Sequence, residues 1–166
     1  MFPARFLKPL LSSLLVLTAG MLDPLLAAAA TPGPAESQVD QTMDRRLDQL
    51  FGNHQDYRDF FQHFQAAVLA GDKAKVAAAM HYPITVHMEG KQWTLYKPSE
   101  FTDVYAHVFT PSLIEMVRRQ RYADLFANDQ GVMLGQGAIW FSGICEDAEC
   151  EKMPIRVVVL NLKAPN

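Results

Sequence analysis

Pro83 separates two hydrophobic periods in this chain, and that change of period constrains the fold more than any other feature. A proline disfavours helical backbone at the residue before it, so Tyr82 is pushed toward an extended conformation and the helical pattern ends here. Upstream, Tyr57, Phe61, Phe64 and Val68 fall at i, i+4, i+7 and i+11, with Phe60 and Ala67 widening the stripe, which predicts an amphipathic helix. Gly71 ends that helix, and Asp72 is a good N-cap for a short one through Val76, Ala79 and Met80. Earlier still, Met43, Leu47, Leu50 and Phe51 predict a short helix beginning at Asp40 and stopping at Gly52-Asn53. Its charged residues Asp44, Arg45, Arg46 and Asp48 read as a solvated face. Downstream of Pro83 the period becomes two. Ile84, Val86 and Met88 alternate with Thr85, His87 and Glu89, Glu89-Gly90 is a turn, and Gln92 to Tyr96 returns as a partner strand with Trp93 and Leu95 on one face.

Helical spacing resumes at Pro98-Ser99 with Phe101, Val104, Tyr105, Val108 and Phe109, and again after Thr110-Pro111, an N-cap followed by proline at the first helical position. Tyr122 to Phe126 is too short for periodicity to decide. Beyond a turn at Asn128 to Gly131, Val132 to Phe141 predicts one long strand, with Gly135 and Gly137 marking a bend or bulge inside it. Strict alternation puts Gln136 on a face with Val132, Leu134, Ala138 and Trp140. Ile155 to Leu162 predicts a final strand in which Arg156 shares parity with Val158, Leu160 and Leu162.

The first thirty residues read as an address. Arg5 and Lys8 form a positive region, an apolar run from Leu10 to Leu22 follows, and Ala27 to Ala30 offers a small-x-small cleavage pattern. The run is shorter than the ~20 apolar residues of a bilayer span, so a cleaved signal peptide over 1–30 is expected, and with it a periplasmic or secreted protein. Residues 31–53 are expected to hold a flexible leader and a possible short helix, and 54–166 a single domain. Removing Arg5, Lys8 and Asp23 from the 15 basic and 18 acidic residues of the whole chain leaves 13 and 17. That acidic balance gives no electrostatic footprint for nucleic acid and none for an anionic membrane surface. Export also gives meaning to Cys145 and Cys150, with four residues between them in the connection between the last two strands. A structural disulfide is expected, because the spacing is not Cys-x-x-Cys and Glu146, Asp147, Glu149 and Glu151 would raise thiol pKa values. No metal and no cofactor are expected.

Three segments carry a family resemblance. Phe64 to Asp72, with Gly71-Asp72 breaking a long helix before a short one, Pro98 to Phe101, and Gly131 to Phe141 resemble the nuclear transport factor 2-like superfamily, which includes ketosteroid isomerases and polyketide-cyclase-like proteins. The resemblance covers residues 54–163. It implies an α+β fold in which a cone-shaped, strongly curved mixed or antiparallel sheet is wrapped by N-terminal and central helices, enclosing a pocket for an apolar small molecule. It also implies that some members dimerise through the sheet face, which would cover Trp140 or Trp93. In the isomerases of this superfamily a proton-abstracting carboxylate ends the first strand. Here Met88 holds the matching position between His87 and Glu89, and methionine cannot take a proton.

A fold that hosts many functions supplies none by itself. The leading expectation is a non-catalytic domain that binds a small apolar ligand or a protein partner, with homodimerisation through the sheet face as one form of the latter. The alternative is a small cofactor-independent isomerase, dehydratase or cyclase. Its base would be His87 or His81, since imidazole titrates near neutral pH, with Asp124 as a further catalytic candidate. Candidate ligand contacts are Tyr82, Tyr105, Gln136, Trp140 and Arg156. An immunity or inhibitor protein is a third reading, without a sequence signal of its own. Nucleophile and phosphate-loop motifs such as Gly-x-Ser-x-Gly and Gly-x-x-x-x-Gly-Lys are absent.

Overall fold

A computed structural model describes residues 34–162. The expected signal peptide over 1–30 and the first leader residues lie outside the described residues. Among those described, five α-helices and one mixed six-stranded sheet make an α+β fold. Helix α1 (Pro34–Phe51) is longer than expected, because it begins at Pro34 within the segment read as a flexible leader. Proline suits a first helical turn, where its missing N–H has no partner to lose. Met43 and Leu47 of α1 join the same buried core as α2 (His54–Leu69), so residues before His54 belong to the packed unit. The α2 stripe is buried as its spacing predicts, at Tyr57, Phe61, Phe64, Ala67 and Val68. Asn53 caps its start, and Asp72 caps α3 (Lys73–Ala78) by accepting from the Lys75 N–H at 3.0 Å.

Strands β1 (Met80–Met88) and β2 (Lys91–Leu95) form a hairpin across Glu89 and Gly90, whose φ values of 53° and 71° give the doubly left-handed turn that suits two-residue hairpins. Helices α4 (Pro98–Val108) and α5 (Pro111–Arg119) follow, with Thr110 as the α5 N-cap. A single 3-10 turn at Tyr122–Asp124 leads into β3 (Phe126–Asn128), and then β4 (Gly131–Leu134), β5 (Ile139–Gly143) and β6 (Ile155–Leu162) complete the sheet. The strand order is β2-β1-β6-β5-β4-β3, antiparallel throughout except for the parallel β1–β6 pair, and the sheet is not closed.

Two expectations about this sheet are corrected. The stretch Val132 to Phe141 is not one bent strand but a hairpin, because Gly135, Gln136 and Gly137 all take positive φ (63°, 55° and 95°) and reverse the chain. Gln136 therefore sits at a turn and shares no strand face with Val132. The reversal also places Trp140 opposite Met133, on the side away from Val132, Leu134, Ile139 and Phe141. In β6 the parity changes partway: Phe141 pairs with Val157 and Trp140 with Val159, so Val158 is an extra bulged residue. Ile155 and Val157 are buried before the bulge, Leu160 and Leu162 after it, and Arg156 does not share the face of Leu160. A second register shift separates Met80 from Thr85 in the β1–β6 ladder and spans the cis Tyr82–Pro83 peptide.

The core lies on one face of the sheet, where Ile84, Val86, Val132, Ile139, Phe141 and Leu160 are fully buried. Phe60 and Tyr57 of α2 pack on Phe141 with ring centroids 5.0 and 6.3 Å away. The Cys145–Cys150 disulfide is present, in the loop between β5 and β6. Asp147 organises that loop by accepting from the N–H groups of Glu151 at 2.8 Å and Lys152 at 3.0 Å. Among the described residues no helix is long and apolar enough to cross a membrane.

Candidate binding cleft

An open cleft of about 1390 Å³ lies where β1 and β6 end, between the sheet's hairpin turns and α5. Residues of both sheet faces reach it. Met88 and Leu162 belong to the core-facing rows, while His87, Asn161, Met133 and Phe126 belong to the opposite rows. The apolar part of the lining includes Leu113 and Met116 of α5. The remainder is polar, with Gln92, Gln120, Gln136 and Asn161 supplying amides and Glu89, Lys91, Glu115, Arg119 and Asp124 supplying charges of both signs.

The turn carrying Gln136 is clamped from two sides. Gln120 Oε1 accepts from the Gly135 N–H at 3.1 Å, and Asn161 Nδ2 donates to the Gly137 carbonyl at 3.1 Å. The Ala138 N–H also donates to the Gly135 carbonyl at 3.2 Å, and the Asn161 N–H to that of Ala138 at 2.8 Å. A side chain on Gly135 would displace the end of the Met116 side chain and would be strained at φ 63°, so glycine fits this position best. Gln136, a non-glycine residue held at positive φ between two glycines, is thereby displayed on the cleft's rim.

Among the described residues, two of the three carboxylates that line the cleft, Glu115 and Asp124, are tied to arginines; Glu89 and Lys91 at the β1–β2 turn also line it. Arg119 and Arg118 donate to Glu115 at 2.7 and 3.1 Å, and these hydrogen bonds, Arg119's foremost, hold the Glu115 carboxyl below its ordinary range. Asp124 accepts two hydrogen bonds from Arg121, at 2.7 and 2.9 Å, and that bonding lowers its pKa in the same way. A carboxylate so tied is a weaker base than a free one. His87 is exposed and lies cross-strand from Gln92 and Asn161, with no hydrogen bond to its ring among the described residues. Among those residues no three His, Cys, Asp or Glu side chains gather to hold a metal ion.

Three sequence candidates therefore line the cleft: His87, Asp124 and Gln136. Trp140 lies beside it, its Nε1 3.9 Å from where a Cβ on Gly137 would stand. The other candidates lie elsewhere. His81 is exposed near the start of β1, at the far end of the strand from His87. Tyr82 donates to the Ala77 carbonyl at 2.9 Å, tying β1 to α3, and burial pushes its pKa up to about 12. Tyr105 is buried in α4 against Phe101 and Phe109, its hydroxyl without a hydrogen-bond partner and its pKa raised by burial first and by Asp72 second. Arg156 borders a smaller recess beside Phe60, His63 and Lys75, with Glu146 at 3.8 Å.

One polar constellation escaped the sequence reading. Asp44 is not on a solvated face: it accepts from Arg58 at 2.7 Å and from the Tyr122 hydroxyl at 2.8 Å, while the Arg58 guanidinium stacks 4.1 Å from the Tyr122 ring centre. Arg58 also reaches Asp40 at 3.1 Å, His54 binds Asp48 at 2.9 Å, and Arg46 donates to the Ala127 carbonyl of edge strand β3 at 3.1 Å. This network fastens α1 to α2, the 3-10 turn and β3. The repeat of Asp40, Asp44 and Asp48 at i, i+4 and i+8 was its sequence signal. The cleft amides Gln92, Gln120 and Asn161 were also missed, although Asn161 is the lone uncharged polar residue of an otherwise apolar strand that also holds Arg156.

Compared with known proteins, the chain matches no family model, no curated protein and no solved structure.

Proposed function

We propose that this chain is an exported binding protein of the nuclear transport factor 2-like type, which holds an uncharged ligand in the open cleft and does no chemistry on it. The observation that carries this reading is the division of the lining. Four amides and the His87 ring face the cleft, Glu115 and Asp124 are bound to neighbouring arginines, and the remaining carboxylate, Glu89, shares the β1–β2 turn with Lys91. Ligand pockets typically combine apolar walls with a few convergent polar groups that fix orientation. The sheet would curl around this space as in the superfamily's cone. An opening of this kind favours an elongated ligand with one side toward water over the enclosed apolar molecule expected from the resemblance. Export rests on the N-terminal pattern, with which the disulfide is consistent.

Native mass spectrometry of the protein purified from the cell envelope, before and after denaturing extraction, tests the reading. A stoichiometric co-purified small molecule is the expected result. An apo protein recovered only in complex with another polypeptide would replace it with partner binding. A second reading, an enzyme using His87 as base, is favoured by the placement of His87, Glu89 and Asp124 on one cleft. If the identified ligand is turned over by the protein and His87→Ala abolishes that turnover, the enzyme reading displaces the first.

A further inference from the structure

We infer that the outer face of the sheet, where it meets the cleft, is a binding site for a neutral oligosaccharide; this rests on the binding function proposed above and names its ligand class. The strand register aligns two rows on that face. One runs Thr85, Val159, Trp140, Met133 and Phe126 across β1, β6, β5, β4 and β3. The other runs Gln92, His87 and Asn161 across β2, β1 and β6 and points toward Ala138 and the Gln136 turn.

The first row carries two aromatic rings set nearly perpendicular to each other, Phe126 exposed and Trp140 half-buried. Phe126 is 50% exposed, and its ring lies 6.4 Å from that of Trp140 at an angle of 78°. The C–H face of a pyranose packs on such rings, which offer large apolar area with little rotamer freedom to lose. The Trp140 indole N–H has no acceptor among the described residues, and it sits at the cleft end of the ring near Gly137. The second row supplies what sugar hydroxyls require. Each hydroxyl both donates and accepts, and the amides of Gln92 and Gln136 present a donor and an acceptor in one plane. Asn161 retains its side-chain carbonyl after donating to Gly137. Neighbouring strands stand ~4.8 Å apart, so the three residues of this row span roughly 10 Å, about the length of two sugar rings.

Polarity and solvation narrow the occupant. The two rows hold no Asp, Glu, Lys or Arg, and the charged residues of the cleft, Glu89 and Lys91 at the β1–β2 turn and Arg119 of α5, flank them with both signs, which favours a ligand without net charge. A second copy of the chain packed dry on this face would bury Gln92, His87 and Asn161 away from water, which is unfavourable unless each finds a partner. A hydroxyl-rich ligand supplies those partners and covers the aromatic rings at the same time.

The experiment uses the processed full-length protein with N,N′,N″-triacetylchitotriose and maltotriose as probes, by titration calorimetry and tryptophan emission. The chain has two tryptophans, and Trp93 lies on the core-facing side of β2, so Trp93→Phe isolates the signal of Trp140. A saturable heat with either sugar, accompanied by a Trp140 emission change, is the expected result, and preference between the two reports whether the amide substituent is read. Trp140→Ala and the milder Phe126→Ser, each checked for native circular dichroism, should weaken binding at least tenfold. No saturable binding of either sugar overturns the inference. So does a Trp140 shift that follows protein concentration alone with dimerisation in sedimentation, since a second copy then occupies the face. A co-purified non-saccharide ligand whose removal leaves Trp140 emission unchanged overturns this inference while leaving the cleft reading intact.

Discussion

Within one strand, Val86 and His87 are neighbours in sequence and opposites in environment. Val86 is fully buried against the helices, and His87 is exposed beside Gln92 and Asn161. The contrast extends across the sheet, with Ile139, Phe141 and Leu160 on the sealed side and Trp140, Met133 and Val159 on the side left half-buried. Because side chains alternate at period two, each strand serves stability with one set of residues and leaves the next set free for the binding role proposed above. Residues one position apart should therefore answer to different assays.

The strongest test of that division sets Phe141 against its neighbour. Phe141→Ala should remove about 3–5 kcal/mol of stability in urea denaturation, because a fully buried ring packed on Phe60 and Tyr57 leaves a cavity behind. Trp140→Ala should cost about 1 kcal/mol or less, the scale of a cross-strand pair. Equal losses would break the comparison. Two tyrosines sharpen it next. Tyr122→Phe deletes a hydrogen bond to the Asp44 carboxylate and should cost about 1.5–3 kcal/mol. Tyr105→Phe deletes a buried hydroxyl that has no partner, and its Tm should stay level or rise. On the rim, Gln136→Gly should raise stability by about 1 kcal/mol by relieving a non-glycine residue at positive φ, while weakening any ligand that the amide contacts. A drop in Tm there would show that Gln136 supports the fold.

The smallest effect concerns pH. Hydrogen bonds from His54, side chain first and backbone second, hold the Asp48 pKa below its ordinary value. A depressed carboxylate pKa contributes stability that is full above the unfolded value of about 3.9 and is lost as pH falls through the folded one. Thermal melts should accordingly decline below about pH 4, and Asp48→Asn should flatten that decline. This tie joins α1 to the start of α2 and touches neither face of the sheet, so sugar binding measured at neutral pH should not change.

Much of the fold was legible because its signals are local. The α2 stripe, the Asp72 and Thr110 caps, the Glu89-Gly90 turn and strand Ile155–Leu162 follow from spacing and from what each residue does to its own backbone. The candidate site was legible in part. His87, Asp124 and Gln136 do line one cleft, whereas Tyr82 and Tyr105 turned out to be packing residues, a role an aromatic side chain announces with the same pattern. Asp44 misled in the opposite direction, since a charge on a helix looks solvated until Arg58 and Tyr122, distant in sequence, come to meet it.

By itself, then, the sequence determined most of the helical and extended segments, the Glu89-Gly90 turn, and that two cysteines stand close enough to bridge. Those outcomes depend on residues within a few positions of each other. Only the tertiary structure decided which residues face each other. The bulge at Val158 reverses the parity of β6, and the hairpin at Gly135 to Gly137 splits a long apolar run in two, held by Gln120 and Asn161. The cleft follows from those long-range choices, because it assembles β1, α5, the β4–β5 turn and β6, whose contacts form only when the whole sheet is in register.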